Sequence, residues 1–453
     1  MPLPYTGKKG EQNFEKDFVD ALKKKGWSKE VLYRRTIPQL IENWKNIIFE
    51  RNRDALNNVP LSKSEMERLM DTVRGQANTP VKSNLFITGE DVPVRRDGDS
   101  PDYKKAGQEV FLNLFSASEV AGGTSKYQIA EQTVFNLEED TPERRSDITL
   151  LINGIPVIHI ELKASGIEIS EAANQIKKYI QERKFQGFMG LIQVFWAITP
   201  EDAVYFANPG NAKKMNPAFF FHWGDRDNHM VRGWREIIDG ESRILSIPQA
   251  HQLVGYYSVP DKGKDMLKVC RSYQYIAIKA IVNRAARQKW GDHDQLGGFV
   301  WCTTGGGKTL TSFIAGKLII EREYADHVVF LVDRRALDSQ SKREYDAFAP
   351  DGREVVETKS TFDLFNKLVS SKSANQMLLT SIQKISNITD EKAEQRRDEL
   401  EKIKKKRIVF IIDEAHRSQF GEMHQKVKNT FYNALFFGFT GTPIFPENMR
   451  AGE

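Results

Sequence analysis

With 453 residues the chain can hold two or three domains with sizeable cores, and 40% hydrophobic against 28% charged residues excludes a disordered or fibrous protein. A net charge of only +5 gives no bulk argument for nucleic-acid binding, so any DNA contact rests on local patches. Cys270 and Cys302 form neither a disulfide framework nor a metal set and suit a reducing cytoplasm; no apolar signal region, membrane-length run of ~18 residues or internal repeat is present, so no membrane partner is expected.

In chain order, residues 13–25 read as an amphipathic helix, with Phe14, Phe18 and Leu22 on one stripe and Gly26 placed to end it. Residues 37–57 and 62–74 read as further helices broken by Pro60, and Ser62 to Glu65 is close to a capping box. A strand is predicted over 85–93, a polar loop over 95–103, and strands over 110–115 and 126–134. Beyond a hairpin at 147–163, residues 170–186 read as a helix and 189–199 and 203–206 as short strands. The aromatic run Phe219 to Trp223 reads as a buried strand rather than a base-stacking surface, with His222 structural. Residues 208–217 and 225–239 are turn-rich and polar and form a bridge. From about residue 246 the pattern changes. Unbroken apolar blocks at 299–302, 328–332, 377–380, 408–412 and 435–439 alternate with helices, as in a parallel sheet buried on both faces. The charged stretch 391–407 reads as a solvated helix.

The hairpin carries the first constellation. Asn153-Gly154 lies between two apolar runs, a strong two-residue turn signal. In the second run Val157, His159, Glu161 and Lys163 fall on one face of a half-buried strand, and Ile158, Ile160 and Leu162 on the core face. Asp147, separated by thirteen residues from Glu161-x-Lys163, adds a second carboxylate. Two carboxylates that hold Mg²⁺ beside a lysine that stabilises developing charge suit phosphodiester hydrolysis. Parity opposes this. A two-residue turn pairs Asp147 with Ile160 and leaves it on the wrong face, so a three-residue loop, a bulge or a kink near Asp147 is required.

The second constellation follows strand 299–302. Thr303-Thr304-Gly305-Gly306-Gly307-Lys308-Thr309 leads into an apolar helix and reads as a phosphate-binding loop. Backbone N–H groups of Thr304, Gly305, Gly306 and Gly307 would close on ATP phosphates, Lys308 would reach the β/γ-phosphates, and Thr309 would bind Mg²⁺. Cys302 stands where the strict pattern has glycine. Strand 408–412 delivers Asp413-Glu414-Ala415-His416, with Asp413 holding Mg²⁺ and Glu414 positioning or deprotonating the attacking water.

Residues 144–165 (RRSDITLLINGIPVIHIELKAS) and the following EAANQIKKYI resemble the N-terminal nuclease of the motor (restriction) subunit of type I restriction enzymes. That nuclease is of the PD-(D/E)xK type, and its pattern falls on Asp147, Glu161 and Lys163. The family's Gln-x-x-x-Tyr falls on Gln175 and Tyr179, one helical turn apart, and Glu15 matches the glutamate that the first helix brings toward the metal. Ser146 stands where the usual proline would be. The later motifs resemble DEAH-type superfamily 2 translocases. His416 belongs to the box that meets the nucleotide, and Gln274 would read adenine. Thr440-Gly441-Thr442-Pro443 resembles the motif that couples hydrolysis to movement; Val332 to Arg335 and Thr380 to Gln383 resemble strand-binding motifs.

The resemblance implies an α/β chain: a PD-(D/E)xK endonuclease domain, a mixed sheet with flanking helices, over 1–235, a linker over 236–265, and one RecA-like parallel-sheet ATPase lobe over 266–453. It implies ATP and Mg²⁺ as cofactors, double-stranded DNA, a methyltransferase (modification) subunit and a specificity subunit as partners, and a bacterial or archaeal cytoplasm. The second lobe and its arginine finger are missing, so the chain is expected to bind ATP weakly without efficient turnover. The alternatives are a stand-alone nuclease-helicase fusion and a DNA-binding module without chemistry.

Overall fold

A computed structural model describes residues 5–97, 106–120, 123–135, 144–241, 243–291, 297–303, 305–332, 341–349, 355–370, 376–389, 396–413 and 421–441. The chain divides into two compact units, Met1–Tyr273 and Gln274–Glu453.

In the first unit the strands are β1 (Val31–Tyr33), β2 (Val92–Arg95), β3 (Glu109–Leu112), β4 (Tyr127–Glu131), β5 (Ile148–Ile152), β6 (Ile155–Leu162), β7 (Val194–Ile198), β8 (Ala203–Ala207), β9 (Ser258–Asp261) and β10 (Met266–Val269). Six of them make a mixed sheet in the order β1-β4-β5-β6-β7-β8. β5 and β6 are antiparallel, and β6 runs parallel to β7. The helix α1 (Gly7–Lys23) precedes β1, and α2 (Ile37–Arg51), α3 (Lys63–Gln76) and α4 (Pro80–Thr88) lie between β1 and β2. The capping box expected at Ser62 is present: its side chain accepts from Glu65 N, and Glu65 caps in return. The strand predicted over 85–93 is instead the end of α4, because Thr79 caps that helix and Pro80 sits in its first turn; strand structure begins at Val92.

The parallel β6–β7 crossover contains α5 (Ile169–Gln181). Ala172, Ala173 and Ile176 of α5 pack with Phe195, Ala197, Val204 and Phe206 of β7 and β8. His159 is in register with Phe195 and Glu161 with Ala197, so α5 covers the sheet face that carries His159 and Glu161. The expectation of a half-buried β6 is therefore corrected: every residue of β6 is buried, the His159 and Glu161 face included, because α5 covers it. Phe219 to Trp223 forms no strand of its own. Phe221 bridges Tyr205, Phe219 is 47% exposed and Trp223 is buried.

The linker expected over 236–265 is corrected too. Those residues form α6 (Trp234–Ile238), α7 (Gln249–Gly255) and the start of the β9–β10 ribbon, and they bury Ile237, Ile238, Ile244, Leu245, Leu253, Val254 and Tyr257 in the first unit. Trp27 Nε1 donates to Leu245 O at 2.8 Å, and Asn84 Nδ2 to Ser258 O at 3.2 Å.

The β5–β6 turn is the two-residue type that needs positive φ at both positions: Asn153 has φ 52° and Gly154 φ 80°. A Cβ on Gly154 would also lie 3.0 Å from the Trp44 backbone. Gly154→Ala is expected to destabilise the first unit by about 1–3 kcal/mol, measured as a lower urea midpoint for its unfolding.

In the second unit β11 (Gly298–Trp301), β12 (His327–Val332), β13 (Val355–Glu357), β14 (Met377–Ser381), β15 (Ile408–Asp413) and β16 (Ala434–Thr440) form an all-parallel sheet ordered β11-β16-β15-β12-β14-β13. This is a RecA-like lobe. The buried blocks predicted for β12, β14 and β15 are buried throughout except at Asp413. The block predicted at 299–302 differs. β11 lies at the sheet edge, and Phe299 and Trp301 are 66% and 62% exposed. The charged stretch yields a helix over Arg397–Lys404 that buries Leu400 and Ile403, so it is not solvated all round.

Candidate functional site

In the first unit the parity conflict is resolved by a bulge. Ile152 pairs with Ile155 and Leu151 with Pro156, but Leu150 pairs with Ile158, leaving Val157 as an extra residue on β6. Pro156, which cannot donate to a ladder, sits beside it. Beyond the bulge Ile148 pairs with Ile160, so Asp147 comes opposite Glu161 and shares its face. Asp147 Oδ2 accepts from Leu162 N at 2.8 Å, which fixes the carboxylate against β6.

Glu161 is fully buried. Lys163 Nζ donates to Glu161 Oε1 at 3.2 Å and to Leu162 O at 3.1 Å, and lies 3.7 Å from Glu11 Oε1 on α1. Burial raises the Asp147 carboxyl well above its usual range, and the Glu161 charge adds to this. Burial lifts Glu161 to about 7 against the partial compensation of Lys163. Burial opposes the charge on Lys163, but Glu161, Asp147 and Glu11 outweigh it and raise the ammonium above its usual value. Glu15, also on α1, is pushed up to about 8 by burial and by Asp147, while Gln132 Nε2 donates to both its oxygens at 3.2 and 3.0 Å. Glu15 thus faces the same cluster.

The helical spacing of Gln175 and Tyr179 holds: Gln175 Nε2 donates to Tyr179 OH at 2.7 Å. Tyr179 OH in turn donates to Arg145 O at 2.7 Å, so the pair ties α5 to the residues that lead into Asp147. Both line a cleft of about 370 Å³ with Arg144, Glu171, Asn174 and Lys178. Sequence reasoning missed Glu11 and Gln132. Glu11 had a signal, since it lies one turn before Glu15 on α1; Gln132 had none.

A divalent cation fits this site. Two carboxylates facing each other can hydrogen-bond only if one keeps a proton, and Glu161 Oε2 accepts from no nitrogen or hydroxyl, so a cation between the two would replace that proton. Thr149 Oγ1 and both ring nitrogens of His159, on the same face, also make no hydrogen bond. His159 is fully buried and held neutral, its imidazole lowered to about 4 by burial. Another carboxylate group, Asp225, Asp227 and His229, has ligand atoms within 4.8 Å of one another, but it is largely exposed, and Asp225 already accepts from the N–H groups of Asp227 and His229.

In the second unit α8 (Lys308–Glu321) follows β11, with Gly307 at its N-cap. Gly305 and Gly307 both have φ 80°, a conformation that glycine adopts without strain, and a Cβ on Gly306 would collide with Cys302 Sγ. The loop is therefore built for close backbone approach, with Lys308 and Thr309 opening the helix. Gln274 Nε2 donates to Gly306 O at 3.1 Å, so its amide braces this loop. Arg271 lies in the first unit, its guanidinium 4.5 Å from the Phe221 ring centre. Because all six strands are parallel, Asp413 at the end of β15 lies at the same sheet edge as the loop. Ser381 ends β14 and caps the next helix, accepting from Lys384 N. Thr304, Glu414, His416, Asp333, Arg334, Arg335, Thr442 and Pro443 lie outside the described residues.

The N-terminal region, residues 8–214, matches the family model of the type I restriction enzyme R protein N terminus, and residues 273–452 match that of the SWI2/SNF2 ATPase. A type I restriction enzyme endonuclease subunit from Staphylococcus aureus (strain MSSA476) is 34% identical over 97% of this chain and 43% of its own length. A protein of Mycoplasma pneumoniae named as the C-terminal part of such a subunit is 34% identical over 46% of this chain and 99% of its own length. A counterpart from Methanocaldococcus jannaschii is 25% identical over 66% of this chain and 37% of its own length. The chain thus spans less than half the length of the Staphylococcus relative. Among the described residues no helix is long and apolar enough to cross a membrane. The chain belongs to the family of type I restriction enzyme endonuclease subunits.

Proposed function

We propose that the first unit is a PD-(D/E)xK endonuclease that cuts double-stranded DNA with Mg²⁺, and that the second is the first ATP-binding lobe of a DNA translocase. The two act in a type I restriction system with modification and specificity subunits in the cytoplasm. The observation that supports this most is the bulge at Val157, which brings Asp147 opposite Glu161 with Lys163 bonded beside it.

Asp147 and Glu161 would hold Mg²⁺. When bound, the ion polarises the scissile phosphate and lowers the pKa of an attacking water. Lys163 stabilises charge that develops on the phosphate oxygens. Tyr179 and Gln175 hold the Arg145 carbonyl and so the approach to Asp147. In the second unit the 305–307 backbone and Lys308 take the ATP phosphates and Thr309 and Asp413 the accompanying Mg²⁺, with Glu414 acting on water. ATP turnover is expected from a two-lobed subunit rather than from residues 274–453 alone.

The test is cleavage of an unmethylated plasmid by a subunit of the length of the relatives, with modification and specificity partners, ATP and Mg²⁺. Lys163→Ala should stop cutting and keep ATPase activity; Lys308→Ala should stop both. Cutting that needs neither ATP nor partners would favour a stand-alone nuclease.

The shifted carboxyl gives a pH prediction. Glu161 keeps its proton to about pH 7 in the folded chain, against 4.5 when solvated. Below about 7 a cation must displace that proton, so Mg²⁺ affinity is expected to rise with pH through this range. The folded state binds more protons than the unfolded one between these values. The metal-free first unit should therefore lose stability as pH rises from about 4.5 to about 7, and added Mg²⁺ should restore it. Melting curves across this window, with and without Mg²⁺, check both signs.

A further inference from the structure

His159 precedes Glu161 by two residues on β6, so both side chains leave the same face about 7 Å apart along the strand. The imidazole is fully buried. It sits among Phe185, Phe195 and Tyr179, with ring centres 4.9, 5.8 and 6.4 Å away. Neither ring nitrogen makes a hydrogen bond. Its Nε2 lies 3.5 Å from Glu161 Oε2, which is itself without a hydrogen bond. The other Glu161 oxygen takes the Lys163 ammonium. A neutral imidazole has one N–H to place, and the facing carboxylate oxygen accepts from no nitrogen; only the Asp147 carboxyl, while it keeps its proton, could donate to Glu161, and a bound cation would remove that proton.

We propose that His159 is a positioning residue for the metal site: its Nε2–H donates to Glu161 Oε2 and fixes the rotation of the carboxylate that binds the cation. The role rests on the metal-dependent reading of Asp147 and Glu161. Lys163 and His159 then grip Glu161 from two sides, and the aromatic walls keep the ring from turning away. Groups that hydrogen-bond a ligating carboxylate set its orientation, and their loss typically weakens metal affinity about 10–100-fold. No requirement of the Asp…Glu-x-Lys chemistry calls for histidine at this position, so the residue is a feature of this chain's own site.

The test is Mn²⁺ binding to the 453-residue chain without nucleotide or DNA, followed by the electron paramagnetic resonance signal of free Mn²⁺. Glu161→Gln should remove the site. His159→Leu, which suits the apolar box and cannot donate, should bind about 10–100-fold more weakly, and His159→Gln, whose amide can donate, should recover most of the affinity. Thermal melts of each variant establish that it is folded. Pulsed resonance of bound Mn²⁺ should show no directly coordinated nitrogen. Wild-type affinity in His159→Leu, with Glu161→Gln inactive in binding, would overturn the positioning role and leave the metal reading standing. Equal losses in His159→Leu and His159→Gln, or a nitrogen coordinated to Mn²⁺, would also overturn it. A wild-type chain that takes up no Mn²⁺ would overturn both readings.

Discussion

Lys163→Ala is expected to lower Mg²⁺-dependent DNA cleavage about 10²–10³-fold, the usual cost of losing one preorganised charge-stabilising donor. ATP binding should be unchanged, because the phosphate-binding loop belongs to the other unit. Lys163 is well placed for this role. Its ammonium bonds to Glu161 Oε1 at 3.2 Å and Leu162 O at 3.1 Å, and three acidic groups keep it charged despite burial. Lys163→Arg should recover little, since a planar guanidinium cannot copy a compact ammonium bonded to both a carboxylate and the adjoining carbonyl. The assay is nicking of supercoiled plasmid by the assembled enzyme. Cleavage within threefold of wild type in Lys163→Ala would remove lysine from the chemistry.

Glu65→Ala is expected to destabilise the first unit by about 3–5 kcal/mol, the penalty for leaving a buried charge without its partner. Glu65 and Arg96 are both fully buried in their side chains, with Arg96 Nη1 3.3 Å from Glu65 Oε2. The same carboxylate accepts from Ser62 N and from Asp97 N, each at 2.8 Å. It therefore caps α3, pins the chain just beyond β2 at Asp97 and neutralises the guanidinium at once. Urea unfolding of the first unit reads the loss. The double variant Glu65→Leu with Arg96→Met should lie nearer wild type than Glu65→Ala, because replacing a whole buried pair leaves no orphan charge. A double variant worse than the single one would mean that the caps, not the charge pair, dominate.

Much of the second unit was readable because its strands are continuous apolar blocks, and the parallel sheet followed from their alternation with helices. The edge position of β11 was not, since its residues look as apolar as those of β12, and only the strand order exposes Phe299 and Trp301. In the first unit the need for a three-residue loop, a bulge or a kink was legible because turn length and side-chain parity conflict within one short segment, but which of the three is used was not. Burial of β6 on both faces was hidden: alternation of Ile with His and Glu reads as core against water, whereas the polar face is covered by α5. The misread linker has the same kind of cause. Leu245 and Ser258 are tied to Trp27 and Asn84, more than 170 residues away, and no local pattern records such contacts. The helix α4 was legible in Thr79-Pro80, but the β-prone run after it outweighed the cap.

The most direct measurement of the central claim is the anomalous scattering of Mn²⁺ in crystals of this chain. A peak bounded by the Asp147 and Glu161 carboxylates is expected, lost in Asp147→Asn. No peak there, with Mn²⁺ found instead at Asp225, Asp227 and His229, would contradict it.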